Sequence, residues 1–518
     1  MYLTQALHRS VQQTPDAPAT IFGDRVRSFA EQHDRVARLA GALRRLGVEP
    51  GDRVAMLALN SDRYTDYLYA TPWADAVLNP VNTRWSEAEM AYAVDDCETK
   101  VLFVDATFAD RGRALEEHCP SLVTLVWADD GPAPVGMADM ETLITETEPV
   151  PDARRGGDAL AALFYTGGTT GQAKGVMLSH ANLLTQTYGA LASGALVTPR
   201  GRLLHVAPMF HLADLALWMM SSTLGGTHVI LPGFDPGAAL EAIARHQITD
   251  LLLVPTMLQA LVDHPAAASA ELGSVRRVAY GASPISEALV QRVMKRFRGA
   301  GLTQGYGMTE VSAIATLLDP ADHARPELLR AAGRAAPHAE VRIVDPDDPE
   351  DRELPRGTVG EVAIRGGHVM LGYWRQPEAT ATALRNGWMH TGDGAYMDNA
   401  GYVFIVDRIK DMIVSGGENV YSAEVENALA SHPAVAMAAV IGVPDPDWGE
   451  RVHAVVVLAP GAAVTPDALR EHCKQRIAGY KAPRSVEFVD ALPLSAAGKV
   501  LKRELRQRHW SEAGRLVG

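Results

Sequence analysis

The sequence predicts an α/β protein with a β-rich stretch late in the chain and a smaller α/β unit at its C-terminal end. Three observations predict it. Through Tyr280, short apolar runs alternate with helical apolar faces, the pattern of helices layered on parallel sheets. Between Val359 and Val406, helical periodicity gives way to short runs separated by Gly, Asn and Asp. Beyond Lys410 a loop, a helix and a strand resume the alternation. The charge also changes sign: residues 451–518 hold 12 Lys and Arg against 6 Asp and Glu, in a chain of 48 against 62.

The elements follow in order. Phe29, Val36, Leu39, Leu43 and Leu46 fall on one helical face, and Gly47 ends it. Residues 53–59 read as a strand. Ser86 with Glu89 forms a capping box that opens a second helix, and residues 100–104 return to a strand. Residues 160–165 are an apolar strand, with a helix starting near His180. Residues 251–254 and 275–280 extend the strand series. The Pro-, Asp- and Arg-rich residues 319–355 predict surface loops and hairpins. Residues 359–365, 388–391 and 402–406 read as short strands joined by turns such as Asp398-Asn399-Ala400-Gly401. The division expected is 1–409 and 410–518, with no internal repeat.

Composition bounds the function. Of 518 residues, 47% are hydrophobic and 21% charged, which excludes collagen-like or disordered chains and leaves enough chain for several cores. A net charge of −14 argues against a general nucleic-acid binder. The basic C-terminal stretch fits either a solvated face or a module that meets a polyanion. Cys97, Cys119 and Cys473 are too few and too scattered for a disulfide framework or a Cys-rich zinc site, and suit a reducing cytosol. The first fifteen residues lack a secretory apolar core. No run approaches the roughly 18 apolar residues of a membrane span. A cytoplasmic protein is expected, with peripheral membrane contact and a homodimer left open. The chain has 8 Lys against 40 Arg, and several of those Lys fall inside motifs.

The strongest local signal runs from Tyr165 to Gly175. Four glycines free the backbone to turn N–H groups inward, and Thr166, Thr169, Thr170 and Lys174 add donors, an inventory that suits a triphosphate. Composition alone also fits a flexible connection. A Walker loop is excluded: the Gly498-Lys499 pair is followed by Val500, and Pro493 stands where the first Gly belongs.

The run YTGGTTGQAKGVMLSHANL resembles the AMP-binding signature of adenylate-forming enzymes, the superfamily of acyl- and aryl-CoA synthetases, peptide adenylation domains and beetle luciferases. The resemblance covers nearly the whole chain, in the family's order, through NPVNTRW, APMFHLAD, YGAS, QGYGMTE, GEVAIRG, GYW, WMHTGD, DRIKDMIVSGGENVYSAEVE, GVPDPDWGE and GYKAPRSVEFVDALPLSAAGK. It implies a large N-terminal domain of two α/β subdomains plus a β-barrel-like subdomain, and a small mobile C-terminal lid. It also implies two half-reactions: a carboxylate attacks the α-phosphorus of ATP, then a thiol attacks the acyl-adenylate. ATP, Mg²⁺ and coenzyme A are the expected ligands.

The resemblance assigns roles residue by residue. Thr166, Gly168, Thr169, Thr170 and Lys174 embrace the β- and γ-phosphates. Gln304, Gly305, Tyr306, Gly307, Met308 and Thr309 form a nucleotide loop in which Tyr306 stacks on adenine and Thr309 bonds the α-phosphate. Glu310 is the Mg²⁺ ligand, and Asp393 and Arg408 hold the ribose. Gly281, Ala282 and Ser283 resemble the strip beside adenine, or form a plain βα turn. Lys499 bridges the attacking carboxylate and the α-phosphate, and Lys410 is the hinge. Ser415, Gly416, Gly417, Glu418 and Asn419 line a pantetheine tunnel, with Trp448, Lys481 and Arg484 as weaker CoA candidates. Ala482 stands where some relatives have Arg.

His211 gates the acyl site, which Leu212, Val254, Pro255, Met257, Tyr280, Met308 and Val311 help to line. Asp214 departs from a small residue and either faces the surface or sits in the pocket. The expected enzyme is an AMP-forming acyl-CoA synthetase for a medium- or long-chain fatty acid, with an aryl or arylpropenoic acid as the alternative. A luciferase-like oxidoreductase and a carrier-protein-loading adenylase stand further back. His211 occupies the position of the amino-acid-reading Asp, and the chain ends Arg-Leu-Val-Gly rather than Ser-Lys-Leu. A non-catalytic nucleotide sensor is disfavoured because Lys174, Glu310 and Lys499 are all present.

Overall fold

A computed structural model describes residues 1–166, 173–283, 285–415, 418–495 and 499–510, with the side chain of Lys410 left out. Among these residues four sheets organise the chain. The first has eight strands, with Arg53–Leu57, Val77–Pro80 and Thr99–Val104 parallel at its centre. Leu160–Thr166 joins Val77–Pro80, and Lys174–Ser179 folds back antiparallel to it. The second has nine strands, whose middle runs parallel through Gly301–Tyr306, Arg277–Gly281, Asp250–Leu253, Arg202–His205 and Thr227–Ile230. Asp250–Leu253 and Thr227–Ile230 are buried at every residue, because helices cover a parallel sheet on both faces.

The β-rich stretch is a five-stranded antiparallel sheet containing Glu340–Val344, Gly360–Arg365, Trp388–Met397 and Val403–Arg408. The fourth sheet belongs to the small C-terminal domain. Its long hairpin, Val435–Asp445 with Gly449–Leu458, carries Ser485–Phe488 as a parallel neighbour. Helices Ser422–Ala430 and Pro466–Lys474 pack over it through Val425, Leu429, Leu469 and Cys473. No helix among the described residues is long and apolar enough to cross a membrane.

Several elements depart from the sequence reading. The expected strand 53–59 ends at Leu57, where the chain turns and the Leu59 N–H donates to Asp105 Oδ2 at 2.7 Å. The expected strand 388–391 runs on to Met397, across a register shift between Gly394 and Ala395. Gly392, at φ +71°, supplies a conformation other residues resist. The Pro- and Asp-rich segment contains 3-10 turns at Pro320–Ala324 and Pro326–Leu328, and also the strand Glu340–Val344. After Lys410 the expected loop is a hairpin of Ile413–Ser415 and Glu418–Val420. The capping box at Ser86 and Glu89 is present, and others form at Ser28 with Glu31 and at Ser179 with Asn182.

Helices Phe29–Arg45, Asp62–Trp73 and Met140–Thr145 meet through an internal ion network. Asp66 is wholly buried between Arg27 (3.2 Å) and Arg35 (2.9 Å). Arg35 and Arg63 also reach Glu141, at 2.7 and 3.0 Å. Removing Asp66 takes a buried partner from both arginines, leaving Arg27 with Asp62 at 2.8 Å and Arg35 with Glu141. Asp66→Ala is therefore expected to lower the unfolding free energy by about 1–3 kcal/mol in chemical denaturation, more than removal of an exposed carboxylate such as Asp24.

Candidate active site

The site begins where two parallel strands end. Arg277–Gly281 and Gly301–Tyr306 lie side by side with Gly281 opposite Gly305. A side chain on Gly281 would strike the Gly305 carbonyl, so only glycine lets these backbones approach. The chain then turns sharply: Ala282 takes φ +66°, a left-handed conformation costly for a residue with a Cβ. The C-terminal ends of parallel strands are where open α/β sheets bind ligands. Gln304, Gly305, Tyr306, Gly307, Met308 and Thr309 are half-buried along this edge, and Ser283 lies beside it in the sequence.

Tyr306 reaches across to the antiparallel sheet. Its hydroxyl donates to Asp393 Oδ2 at 2.8 Å, while Arg408 Nε donates to Asp393 Oδ1 at 2.6 Å. Asp393 and Arg408 face each other in the ladder of Trp388–Met397 and Val403–Arg408. Burial first, and then the Asp393 charge, push the Tyr306 phenol well above its ordinary pKa, so it stays a neutral donor. Met397 and Val403 carry the strands on into the core.

A second constellation surrounds Glu310. Its carboxylate is buried and accepts from the Tyr373 hydroxyl at 2.9 Å, and its carbonyl accepts from Met370 N–H at 2.8 Å. Burial raises the Glu310 pKa, against the opposing pull of Tyr373, Arg408 and Lys499. Lys174 Nζ lies 4.8 Å from the centroid of the Tyr373 ring. Thr166 faces Lys174 across the hairpin. Gly168, Thr169 and Thr170 lie outside the described residues.

Lys499 arrives from the C-terminal domain. Its side chain is exposed, with the charges of Arg408, Asp393 and Glu310 close enough to act on it. Desolvation first, and then Arg408, lower its pKa, while Asp393 and Glu310 raise it. The loop is tied by reciprocal bonds: Lys499 N–H donates to Ser495 Oγ at 3.1 Å and Ser495 N–H to the Lys499 carbonyl at 2.7 Å. Arg84 of the N-terminal domain donates to the Ser495 carbonyl at 3.2 Å. The structure thus brings Tyr306, Asp393, Arg408, Glu310 and Lys499 into one electrostatic group.

The acyl candidates divide. His211 stands at the N-cap of helix Leu212–Thr223, with its ring 4.4 Å from that of Phe210. Asn60 clamps the preceding loop, donating to the Ala207 carbonyl (2.9 Å) and accepting from Met209 N–H (2.8 Å). Leu212, Met308 and Val311 share one apolar cluster. Val254, Met257 and Tyr280 belong to a different one, and the Tyr280 hydroxyl is bonded to His323 Nε2 at 2.8 Å.

Asp214 is buried and engaged. Its Oδ2 accepts from His205 Nδ1 at 2.8 Å; His205 Nε2 lies 2.9 Å from His228 Nδ1, and His228 Nε2 lies 3.0 Å from Ser222 Oγ. The spacing lets each member of this chain bond the next, from Ser222 to Asp214. Burial first, and then His205, hold His228 well below its ordinary pKa. Of the two positions the sequence left open for Asp214, the surface one is ruled out.

The CoA candidates sit on the C-terminal domain. Ser415 is buried and pairs with exposed Glu418, whereas Gly416 and Gly417 lie outside the described residues. The Arg484 guanidinium stacks 4.0 Å from the Trp448 ring, and Lys481 pairs with Glu424 at 2.7 Å. Sequence reasoning missed Tyr373, Arg84 and Ser495 as individual residues, although each lies inside a recognised motif, GYW, NPVNTRW or LPLSAAGK.

The profile of the AMP-binding enzyme family matches residues 7–374, and that of the AMP-binding enzyme C-terminal domain matches residues 424–499. A feruloyl-CoA synthase of Amycolatopsis sp is 42% identical over 501 residues, covering 96% of this chain and 97% of its own. The fatty acid–[acyl-carrier-protein] ligase ScoC of Streptomyces coeruleorubidus is 36% identical over 520 residues, covering 99% and 98%. The crystal structure of ATP-bound MatB from Rhodopseudomonas palustris superposes with a TM-score of 0.88 at 32% identity, covering 98% of this chain and 99% of that one. Motif order, site geometry and likeness over the full length agree: the chain belongs to the AMP-binding enzyme family, as an adenylate-forming ligase of the acyl-CoA synthetase type.

Proposed function

We propose that this enzyme joins an apolar carboxylic acid to CoA at the expense of ATP, releasing AMP and pyrophosphate. The observation that carries the reading is the convergence of Lys499, Asp393, Arg408 and Glu310 from two domains on one cleft. In the first half-reaction a carboxylate oxygen bonds to the α-phosphorus and the bond to the β-phosphate breaks. Anion approaches anion, so the barrier is electrostatic. The Lys499 ammonium meets both reacting groups, and its flexible stem follows charge as it shifts. Thr309 bonds the α-phosphate, and Thr166, Gly168, Thr169, Thr170 and Lys174 hold the leaving pyrophosphate. Asp393 and Arg408 orient the ribose, with Tyr306 against adenine and the Gly281-Ala282-Ser283 strip along its edge.

Glu310 fits a Mg²⁺ ligand. It is a buried hard carboxylate whose charge burial penalises, which a divalent ion would relieve. Bound Mg²⁺ would neutralise phosphate charge. In the second half-reaction the CoA thiolate bonds to the acyl carbon and AMP leaves with the C–O bonding pair. The lid turns about Lys410 between the two steps, withdrawing Lys499 and bringing up residues 415–419 and Trp448. His211 gates the carboxylate. Three buried free cysteines suit work in a reducing cytoplasm.

For the acid, the 42% identity to a feruloyl-CoA synthase favours an arylpropenoic substrate. A medium- or long-chain fatty acid is the second reading, favoured by the fatty-acid ligase ScoC.

A panel of ferulate, cinnamate, benzoate and medium- and long-chain fatty acids tests this, with ATP, Mg²⁺ and CoA. The expected result is pyrophosphate release and thioester formation, with the highest kcat/KM for an arylpropenoic acid. A fatty-acid maximum installs the second reading, and pyrophosphate without thioester points to a carrier-protein acceptor. Lys499→Ala is expected to slow adenylation by roughly 10²–10³-fold while ATP still binds; an unchanged rate removes Lys499 from this role. Glu310→Gln is expected to raise the melting temperature of the ligand-free enzyme at neutral pH. Because burial raises this carboxyl's pKa, its ionised form costs stability above that pKa, and the cost fades as pH falls through it. The gain from Gln should therefore shrink in acid, which thermal melts across pH will read.

A further inference from the structure

On the C-terminal domain two histidines and a carboxylate converge. His453 lies on strand Gly449–Leu458, Glu487 on its parallel neighbour Ser485–Phe488, and His509 just after helix Lys502–Gln507. Glu487 Oε2 is 3.6 Å from His453 Nε2 and 4.0 Å from His509 Nε2. One ligand atom from each of the three lies within 4.8 Å of the others. These separations exceed hydrogen-bond length. Ligands bonded to one tetrahedral zinc at about 2.0–2.2 Å stand roughly 3.3–3.5 Å apart, so the three need close by only about an ångström. We propose that His453, Glu487 and His509 form a site for a divalent transition metal of the zinc type.

His453 provides the independent argument. It is 6% exposed, and its Nε2, facing the other two groups, has no hydrogen-bond partner among the described residues. A buried imidazole nitrogen without a partner is rare unless something else occupies its lone pair. The other nitrogen is fixed: Nδ1 lies 2.7 Å from Ser485 Oγ, which also accepts from Arg451 Nε at 3.3 Å. With Nδ1–H donating to Ser485, the Nε2 lone pair points into the site, the arrangement metal-binding histidines use. Glu487 has a second oxygen, Oε1, with the exposed Arg508 guanidinium 3.8 Å away, so one carboxylate can serve both cations. Two imidazoles and one carboxylate suit Zn²⁺ or Co²⁺ rather than Mg²⁺, and three protein ligands leave a position for water. A metal here would tie the chain just beyond Lys499 to the sheet of its own domain.

The test uses the full-length enzyme, free of any histidine tag and stripped by a chelator, titrated with Zn²⁺ and with Co²⁺. One equivalent should bind, Co²⁺ should give the intense visible bands of tetrahedral coordination, and the melting temperature should rise. His509→Ala, at a partly exposed residue, should lose about tenfold or more in affinity, and Ser485→Ala roughly 10–100-fold. Glu310→Gln should bind metal as the wild type does, which separates this site from the nucleotide cleft. No stoichiometric uptake by the wild type, or uptake unchanged by His509→Ala, overturns the proposal.

Discussion

The Asp393 carboxylate is the point on which the site depends. One oxygen is held by the phenol at the end of a parallel strand, the other by a guanidinium on the last strand before the C-terminal domain. The first of these bonds fastens the second α/β sheet to the antiparallel sheet, and the second ties two strands of the antiparallel sheet together. A carboxylate with both oxygens satisfied is stable at low dielectric only while both donors stay in place. Strand register therefore sets the electrostatics: a slip between Asp393 and Arg408 would put the charges on opposite faces. The same pair shapes the environment of Lys499, through an attraction to Asp393 and a repulsion from Arg408.

Around this point the molecule combines parts of different stiffness. Parallel strands hold Gly281 and Gly305 at a separation that a single methyl group would disrupt. The C-terminal domain is braced internally by Lys502 with Glu426 at 2.7 Å, and beside Lys410 by Arg506 with Asp411. Among the described residues its links to the rest include Ser422 N–H to Asp407 Oδ2 at 2.8 Å, and Arg84 to the Ser495 carbonyl.

Much of the fold was legible because its signals are local. Alternating apolar runs mark parallel strands, and Ser86 three residues before Glu89 marks a helix start whatever the rest of the chain does. Glu340–Val344 was obscured because its neighbours carry the Pro and Asp of loops, and its pairing with Gly360–Arg365 exists only in three dimensions. At the site, motifs supplied residue types and order but not partners. Tyr373 and Glu310 meet from 63 residues apart, and Arg84 and Ser495 from 411; no local pattern encodes such pairings. Asp214 is the sharpest case. Its partners His205 and His228 end or occupy apolar strands, where a histidine reads as an isolated polar residue rather than a link in a chain.

That chain has an evolutionary consequence. The helix beginning at His211 is fixed from within by Asp214, His205, His228 and Ser222, a line in which each member satisfies the next. Replacing any one alone leaves a buried polar group stranded, so most single steps at these four positions pass through a less stable intermediate. Substitutions along this helix are then channelled toward neighbours outside the line, such as the half-buried Ala213, while the four polar positions change together or persist. Ancestral reconstruction of this lineage should find them inherited as a block, with diversity concentrated on either side.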